Sequence, residues 1–162
     1  MHHTHDVPVV KVAVLTLSDS RSEAEDKSGQ TIQSLLEDHH QVVRYKLIAD
    51  DAEKLHETVT EWAQAVDIDA IITNGGTGLS KRDITIQTVY PLLDKEMKGF
   101  GELFRVKSYE QIGAKALLSN ALAGVRENTA IFCLPGSKNA VAFAMEAFIV
   151  PILSHLAGEL RK

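Results

Sequence analysis

The amino-acid sequence predicts an α/β domain whose mostly parallel sheet lies between layers of helices. Three observations carry that expectation. Short β-rich apolar runs alternate with segments of helical periodicity along the chain, which is the pattern of βαβ units. The clearest strand-like run is apolar almost throughout rather than alternating, as expected when a sheet is covered on both faces. The length, 162 residues, suits one domain with one substantial core.

The elements follow in order. A first strand is expected at 9–18 (VVKVAVLTLS). A helix over 26–40 carries Ile32, Leu35 and Leu36 at helical spacing, opened by the capping candidates Asp26 and Ser28. Residues 42–49 read as the second strand. Residues 52–66 are the clearest helix, because Leu55, Val59, Trp62, Ala63 and Val66 fall at i, i+4, i+7, i+8 and i+11. The third strand, 68–73, runs straight into Asn74-Gly75-Gly76-Thr77-Gly78. Helices are expected at 84–93 and 100–112, separated by Lys98-Gly99. The segment 116–125 reads equally as a short strand or a hairpin arm. A strand at 129–134 ends at Pro135-Gly136, and 137–160 is mostly helix, with Pro151 bending or interrupting it. Residues 1–8 are expected to be a flexible arm and 9–162 a single domain, with no repeat or linker between them.

Composition narrows the function. With 24% charged residues and ordinary apolar content, the chain is not of the disordered class. Its apolar runs read as too short to cross a bilayer, and its first residues lack the features of a signal peptide. The single cysteine, Cys133, excludes an internal disulfide framework and fits a reducing cytoplasm. Lying inside an apolar strand, it reads as a small buried residue rather than a nucleophile. A net charge of −5 argues against a general nucleic-acid surface. Phosphate binding must therefore come from a local arrangement of amides, Lys and Arg. His2, His3 and His5 could ligate a metal, but a disordered arm is the stronger reading. His39 and His40 fall at a helix end, where imidazole suits the dipole.

In open α/β sheets ligands bind beyond the carboxyl ends of the strands. The segments that follow the predicted strands are Ser18-Asp19-Ser20-Arg21, Asp50-Asp51, the loop Gly75-Gly76-Thr77-Gly78 with Lys81-Arg82-Asp83, and Pro135-Gly136-Ser137-Lys138. Parallel strands would bring them to one rim, with the amides, hydroxyls, cations and carboxylates of a magnesium–phosphate site. The glycine loop is neither a Walker A motif nor a dinucleotide fingerprint. Structural alternatives stand beside these roles: Asp50 with Glu53 resembles a capping box, Asp83 could cap the helix from 84, and Ser137 could cap the last helix.

These residues resemble the molybdenum cofactor biosynthesis proteins of the MoaB/MogA type, the molybdopterin-binding domain family. The match rests on Leu17-Ser18-Asp19-Ser20-Arg21, Ile48-Ala49-Asp50-Asp51, Gly75-Gly76-Thr77-Gly78 with Arg82-Asp83-Ile84-Thr85, Gly99-Phe100-Gly101-Glu102, and Leu134-Pro135-Gly136-Ser137. The compact length and the run Arg82-Asp83-Ile84-Thr85-Ile86 look more like the MoaB branch. The resemblance implies a three-layer α/β/α sandwich that usually assembles as a trimer, with pairing of trimers into a hexamer left open. It implies molybdopterin as ligand and, in catalytic relatives, its adenylylation by Mg2+-ATP with release of pyrophosphate. It also implies a cytoplasmic setting among other proteins of the pathway, with no nucleic acid or membrane partner. On that resemblance Asp50 and Asp83 are the catalytic carboxylates and hold the magnesium. Gly75, Gly76, Thr77 and Gly78 cradle phosphates, while Ser18, Asp19, Arg82, Thr85, Glu102, Ser119 and Ser137 orient the ligands. Pro135 and Gly136 keep side chains away from the pterin. The chain departs from the family pattern at Asn74, at Ile86, and at Asn120, where an Arg is common. The last departure removes a cation, and it favours the alternative of a carrier that binds molybdopterin without adenylylating it.

Overall fold

A computed structural model describes residues 5–162; His2 and His3 lie outside the described residues. The strands are β1 (Lys11–Leu17), β2 (Gln41–Ile48), β3 (Ala70–Asn74), β4 (Lys95–Glu96), β5 (Leu122–Arg126) and β6 (Thr129–Leu134). The helices are α1 (Lys27–Glu37), α2 (Ala52–Gln64), α3 (Thr85–Val89), α4 (Lys98–Ile112), α5 (Lys138–Ala144) and α6 (Val150–Leu160). One six-stranded sheet has the order β2-β1-β3-β6-β5-β4. Strands β2, β1, β3 and β6 are parallel, β5 runs antiparallel to β6, and β4 antiparallel to β5.

Successive side chains of a strand point to opposite faces, and here both faces are apolar. Val12, Val14, Ile72, Phe132 and Leu134 pack with Ile32 and Leu36 of α1, Phe100 and Phe104 of α4, and Val141, Met145 and Leu153 of the C-terminal helices. Ala13, Leu15, Leu17, Ile71, Ile131 and Cys133 pack with Leu55, Val59 and Trp62 of α2 and Val89 of α3. The result is the expected α/β/α sandwich. Val7 is buried and its N–H donates to Ser154 O (3.0 Å), tying the chain before β1 to α6.

The connections differ from the sequence reading in four places. The 84–93 helix is a short α3 followed by a 3-10 turn, Tyr90–Leu92, that contains Pro91. Lys98 and Gly99 do not separate helices but open α4, since Gly99 faces open space and needs no special conformation. The separator is β4, whose two exposed residues pair with Val125 and Gly124 of β5. The 116–125 segment divides into a 3-10 stretch, Gly113–Leu118, and β5, which returns to β6 through a hairpin.

The C-terminal stretch also corrects the reading that no apolar run is long enough for a bilayer. A continuous helix, Lys138–Leu160, meets that length and composition. Within it a π-helical turn, Met145–Ile149, leads into Pro151, so the regular α-helical hydrogen bonding is interrupted just ahead of the residue that lacks an N–H, as expected of Pro151. Its Val141, Ala144, Met145, Ile149, Leu153 and Ala157 lie in the core against the sheet, as in a core helix of a globular domain.

Candidate functional site

The chain leaves β1 for α1 and β2 on one side and β3 on the other, so the strand order reverses beside β1. The carboxyl ends of the strands at such a switch point leave a crevice. A cleft of about 440 Å3 opens there. Its walls come from the segments after β1, β2, β3 and β6, joined by Leu118 and Ser119 ahead of β5.

The glycine loop forms its floor. Gly75 (φ 101°) and Gly76 (φ 72°) take left-handed conformations that favour glycine. The loop carbonyls are engaged by the protein. Thr85 Oγ1 donates to Gly75 O (2.8 Å), Thr85 N–H to Gly76 O (3.0 Å), and Asn120 Nδ2 to Thr77 O (3.1 Å). The N–H groups of Gly76, Thr77 and Gly78 have no acceptor among the described residues. Bound carbonyls and open N–H groups make the loop an acceptor-seeking surface, suited to an anion.

Three carboxylates and a guanidinium surround this floor. Asp50 is not the cap of α2; Asp51 is, its Oδ1 accepting from Lys54 N–H (3.1 Å). Asp50 instead donates its N–H to Asp19 Oδ1 (2.8 Å), and its own Oδ1 lies 3.3 Å from where a Cβ on Gly76 would stand. That Oδ1 is buried with no hydrogen-bond partner among the described residues. Burial first, and then the charges of Asp19 and Asp83, push the Asp50 carboxyl above its ordinary range. Asp83 does not cap α3 either; its Oδ2 accepts from Ser80 N–H (3.0 Å) and Ser80 Oγ (2.7 Å). A Cβ on Gly78 would stand 2.7 Å from Asp83 Oδ2, so the glycine leaves this carboxylate room. Arg82 grips Asp19 Oδ2 through Nε (3.2 Å) and Nη2 (2.6 Å), which lowers the Asp19 carboxyl with help from the Asp50 N–H.

Of the expected site residues, Ser18, Asp19, Asp50, Gly75, Gly76, Thr77, Gly78, Arg82, Asp83, Ser119, Pro135 and Gly136 line the cleft together. Three do not. Thr85 is fully buried behind the loop and shapes it. Ser137 is exposed and caps α5, its Oγ accepting from Ala140 N–H (3.2 Å). Glu102 is exposed on α4 and is not among the residues that line the cleft. Arg21, Ser20, Ser80 and Leu118 line the cleft without having been singled out as site residues. Position after a strand pointed to Arg21 and Ser20, but no local pattern pointed to Leu118.

Among the described residues no group of three or more His, Cys, Asp or Glu could hold a metal ion unaided. Magnesium does not require one, since it keeps waters and binds through one or two carboxylates plus substrate phosphates. The unpartnered Asp50 Oδ1, with Asp83 close enough to raise its pKa, fits that mode.

Residues 13–155 match the family model described as "Probable molybdopterin binding domain". The chain belongs to this family. It is 49% identical over 158 residues to molybdenum cofactor biosynthesis protein B of Staphylococcus epidermidis, covering 94% of this chain and 90% of the relative. A crystal structure of a molybdenum cofactor biosynthesis protein B superposes with a TM-score of 0.92 at 45% identity, covering 96% of this chain and 98% of that one. The tungsten cofactor synthesizing protein MoaB of Pyrococcus furiosus superposes at 0.84 with 38% identity, covering 95% and 98%. A MogA structure superposes at 0.78 with 29% identity, covering 93% and 99%.

Proposed function

We propose that this family member acts in molybdenum cofactor biosynthesis, in the cytoplasm, by binding molybdopterin in the cleft and adenylylating it with Mg2+-ATP. One observation carries the catalytic part of the reading. Asp50 and Asp83 both stand against the glycine loop, at Gly76 and Gly78, neither is used as a helix cap, and the loop's N–H groups have no acceptor among the described residues. In the reaction a phosphate oxygen of molybdopterin attacks the α-phosphorus of ATP, the new P–O bond forms, and pyrophosphate leaves. Little covalent work falls to the protein in such transfers; positioning and charge do most of it. The Gly76–Gly78 N–H groups and Arg82 hold phosphate oxygens, while Ser18 and Ser119 supply hydroxyls at the rim. Pro135 and Gly136 present a flat wall to the pterin. Asp50 and Asp83 would hold the magnesium, which would offset the charge on the phosphates when bound.

The alternative is a carrier that binds molybdopterin without ATP chemistry, and Asn120 is the feature that favours it. Its amide is spent on Thr77 O, so it shapes the loop without bringing a charge to the cleft. Pyrophosphate release by purified protein with molybdopterin, ATP and magnesium separates the two. The enzyme reading expects turnover that Asp83→Asn abolishes with the fold retained. An intact protein that binds molybdopterin tightly and releases no pyrophosphate is the carrier. We further propose a homotrimer as the assembly in which it works.

A further inference from the structure

A fully buried carboxylate outside the cleft reaches three of its wall segments and has no role in the chemistry above. Asp26 stands at the N-terminus of α1 with no exposed surface. Its Oδ2 accepts from Thr16 Oγ1 (2.6 Å) and from Tyr45 OH (2.6 Å). Its Oδ1 accepts from Gly29 N–H (2.9 Å) and from Nη1 of Arg21 (3.3 Å). From these partners the network runs into the cleft. Thr16 Oγ1 accepts from Asn74 Nδ2 (2.9 Å), and Asn74 is the residue from which the glycine loop departs. Arg21 Nη2 donates to Gly136 O (3.3 Å), which also accepts from Ser28 Oγ (2.6 Å) in the first turn of α1. Gly136 in turn packs on the loop, since a Cβ there would stand 3.3 Å from Gly75 Cα.

A buried carboxylate is unfavourable unless it is fully hydrogen-bonded and paired. Here burial pushes the Asp26 carboxyl up, but Thr16, Tyr45, the Gly29 N–H and Arg21 outweigh it and hold it below the ordinary range. The charge is thus fixed, and it fixes Arg21. The Arg21 side chain is 32% exposed, against 1% for Asp26, and it lines the cleft. A guanidinium has five N–H donors in a rigid fork. Asp26 and Gly136 take one each, leaving donors for an anionic ligand.

We propose that Asp26 is a positioning residue that presents Arg21 to an anionic group of the bound ligand and, through Thr16–Asn74, holds the glycine loop in register with the Pro135–Gly136 turn. Only the identity of that ligand, molybdopterin, rests on the functional reading; the network itself does not.

Two measurements on Asp26→Asn and Arg21→Ala test this. The first is a 15N–1H NMR comparison without ligand. Asp26→Asn is expected to shift or broaden the Gly75, Gly76 and Gly136 amides and Arg21 Nε–H, leaving residues 153–160 of α6 in place. Unchanged loop signals in a folded Asp26→Asn protein overturn the inference, whether or not molybdopterin binds. The second is molybdopterin affinity. Each variant is expected to lose about ten-fold or more, and the double variant to lose clearly less than the product of the two single losses, because one of the two routes from Asp26 runs through Arg21. Additive losses mean that Asp26 does not act through Arg21. Should Asp26→Asn not fold, Arg21→Ala still decides, since wild-type affinity in that variant overturns the inference. A wild-type protein that binds no molybdopterin defeats the functional reading and leaves the NMR comparison to judge this one.

Discussion

Asp50 has one oxygen buried without a partner among the described residues, and two like charges for neighbours. Burial and the charges of Asp19 and Asp83 raise its carboxyl above the ordinary value of 3.8. The sign of the consequence follows from linkage. The unfolded chain ionises Asp50 at lower pH than the fold does, so the contribution of this group is full below that ordinary value and is lost as pH rises through the raised one. At neutral pH the ionised carboxylate therefore destabilises the protein, as expected of a group kept for a ligand rather than for the fold. Asp50→Asn keeps the shape and removes the charge. It is expected to raise Tm at pH 7, by a margin that shrinks towards pH 4 as the wild-type carboxyl takes up its proton. Thermal unfolding of both proteins across that range checks it, and a Tm at or below wild type at pH 7 sinks the idea. The same variant is expected to lose pyrophosphate release, separating stability from activity at one position.

The entry into β1 depends on the end of α1. His40, buried just after that helix, accepts the Val10 N–H on Nδ1 (3.0 Å), while Gln41 N–H donates to Val10 O (3.0 Å) and starts the β1–β2 ladder. Burial, and then the neighbouring His39, lower the His40 pKa below 6.5. Stability from the neutral ring is complete above that value and is lost as pH falls through the lowered pKa, because a protonated Nδ1 cannot accept. His40→Asn retains an acceptor that does not titrate. Its Tm is expected to fall less than that of wild type between pH 7 and pH 5, and an equal fall refutes the assignment. From sequence His40 suggested only a helix-dipole contact, because its partner is 30 residues away. The same limit divides what was legible elsewhere. Strands β1, β2, β3 and β6 declare themselves by local apolar runs, and parallel strands place their carboxyl ends together, so most of the cleft could be read. The β4–β5 pairing could not, since Lys95 and Glu96 carry no apolar pattern and their partners lie beyond α4. Nor could Asn120–Thr77 or Arg21–Gly136, which join residues 43 and 115 positions apart.

On the whole molecule, apolar surface and cleft meet along one side. Leu103, Val106, Tyr109 and Ile112 of α4, with Leu117 and Leu118 of the 3-10 stretch behind it, are each more than half exposed. A groove of about 560 Å3 runs among Arg105, Val106, Tyr109, Glu110, Ala116 and Leu117. Contiguous apolar surface of this kind marks an interaction face. A threefold assembly uses a heterologous contact, in which this face of one subunit meets a different face of the next and the ring closes after three. Leu118 belongs to the patch and also lines the cleft beside Ser119, so covering the patch would fix one wall of the ligand site. Replacing Val106 and Leu117 together with Glu puts two charges where packing is expected, on side chains that are 55% and 78% exposed and contribute little to the core. Light scattering after size exclusion is expected to give a trimer for wild type and a folded monomer for the double variant. The monomer is expected to bind molybdopterin more weakly, because the Leu118–Ser119 wall is no longer held. A double variant that remains trimeric places the interface elsewhere, and a monomer with undiminished affinity removes any link between assembly and the cleft.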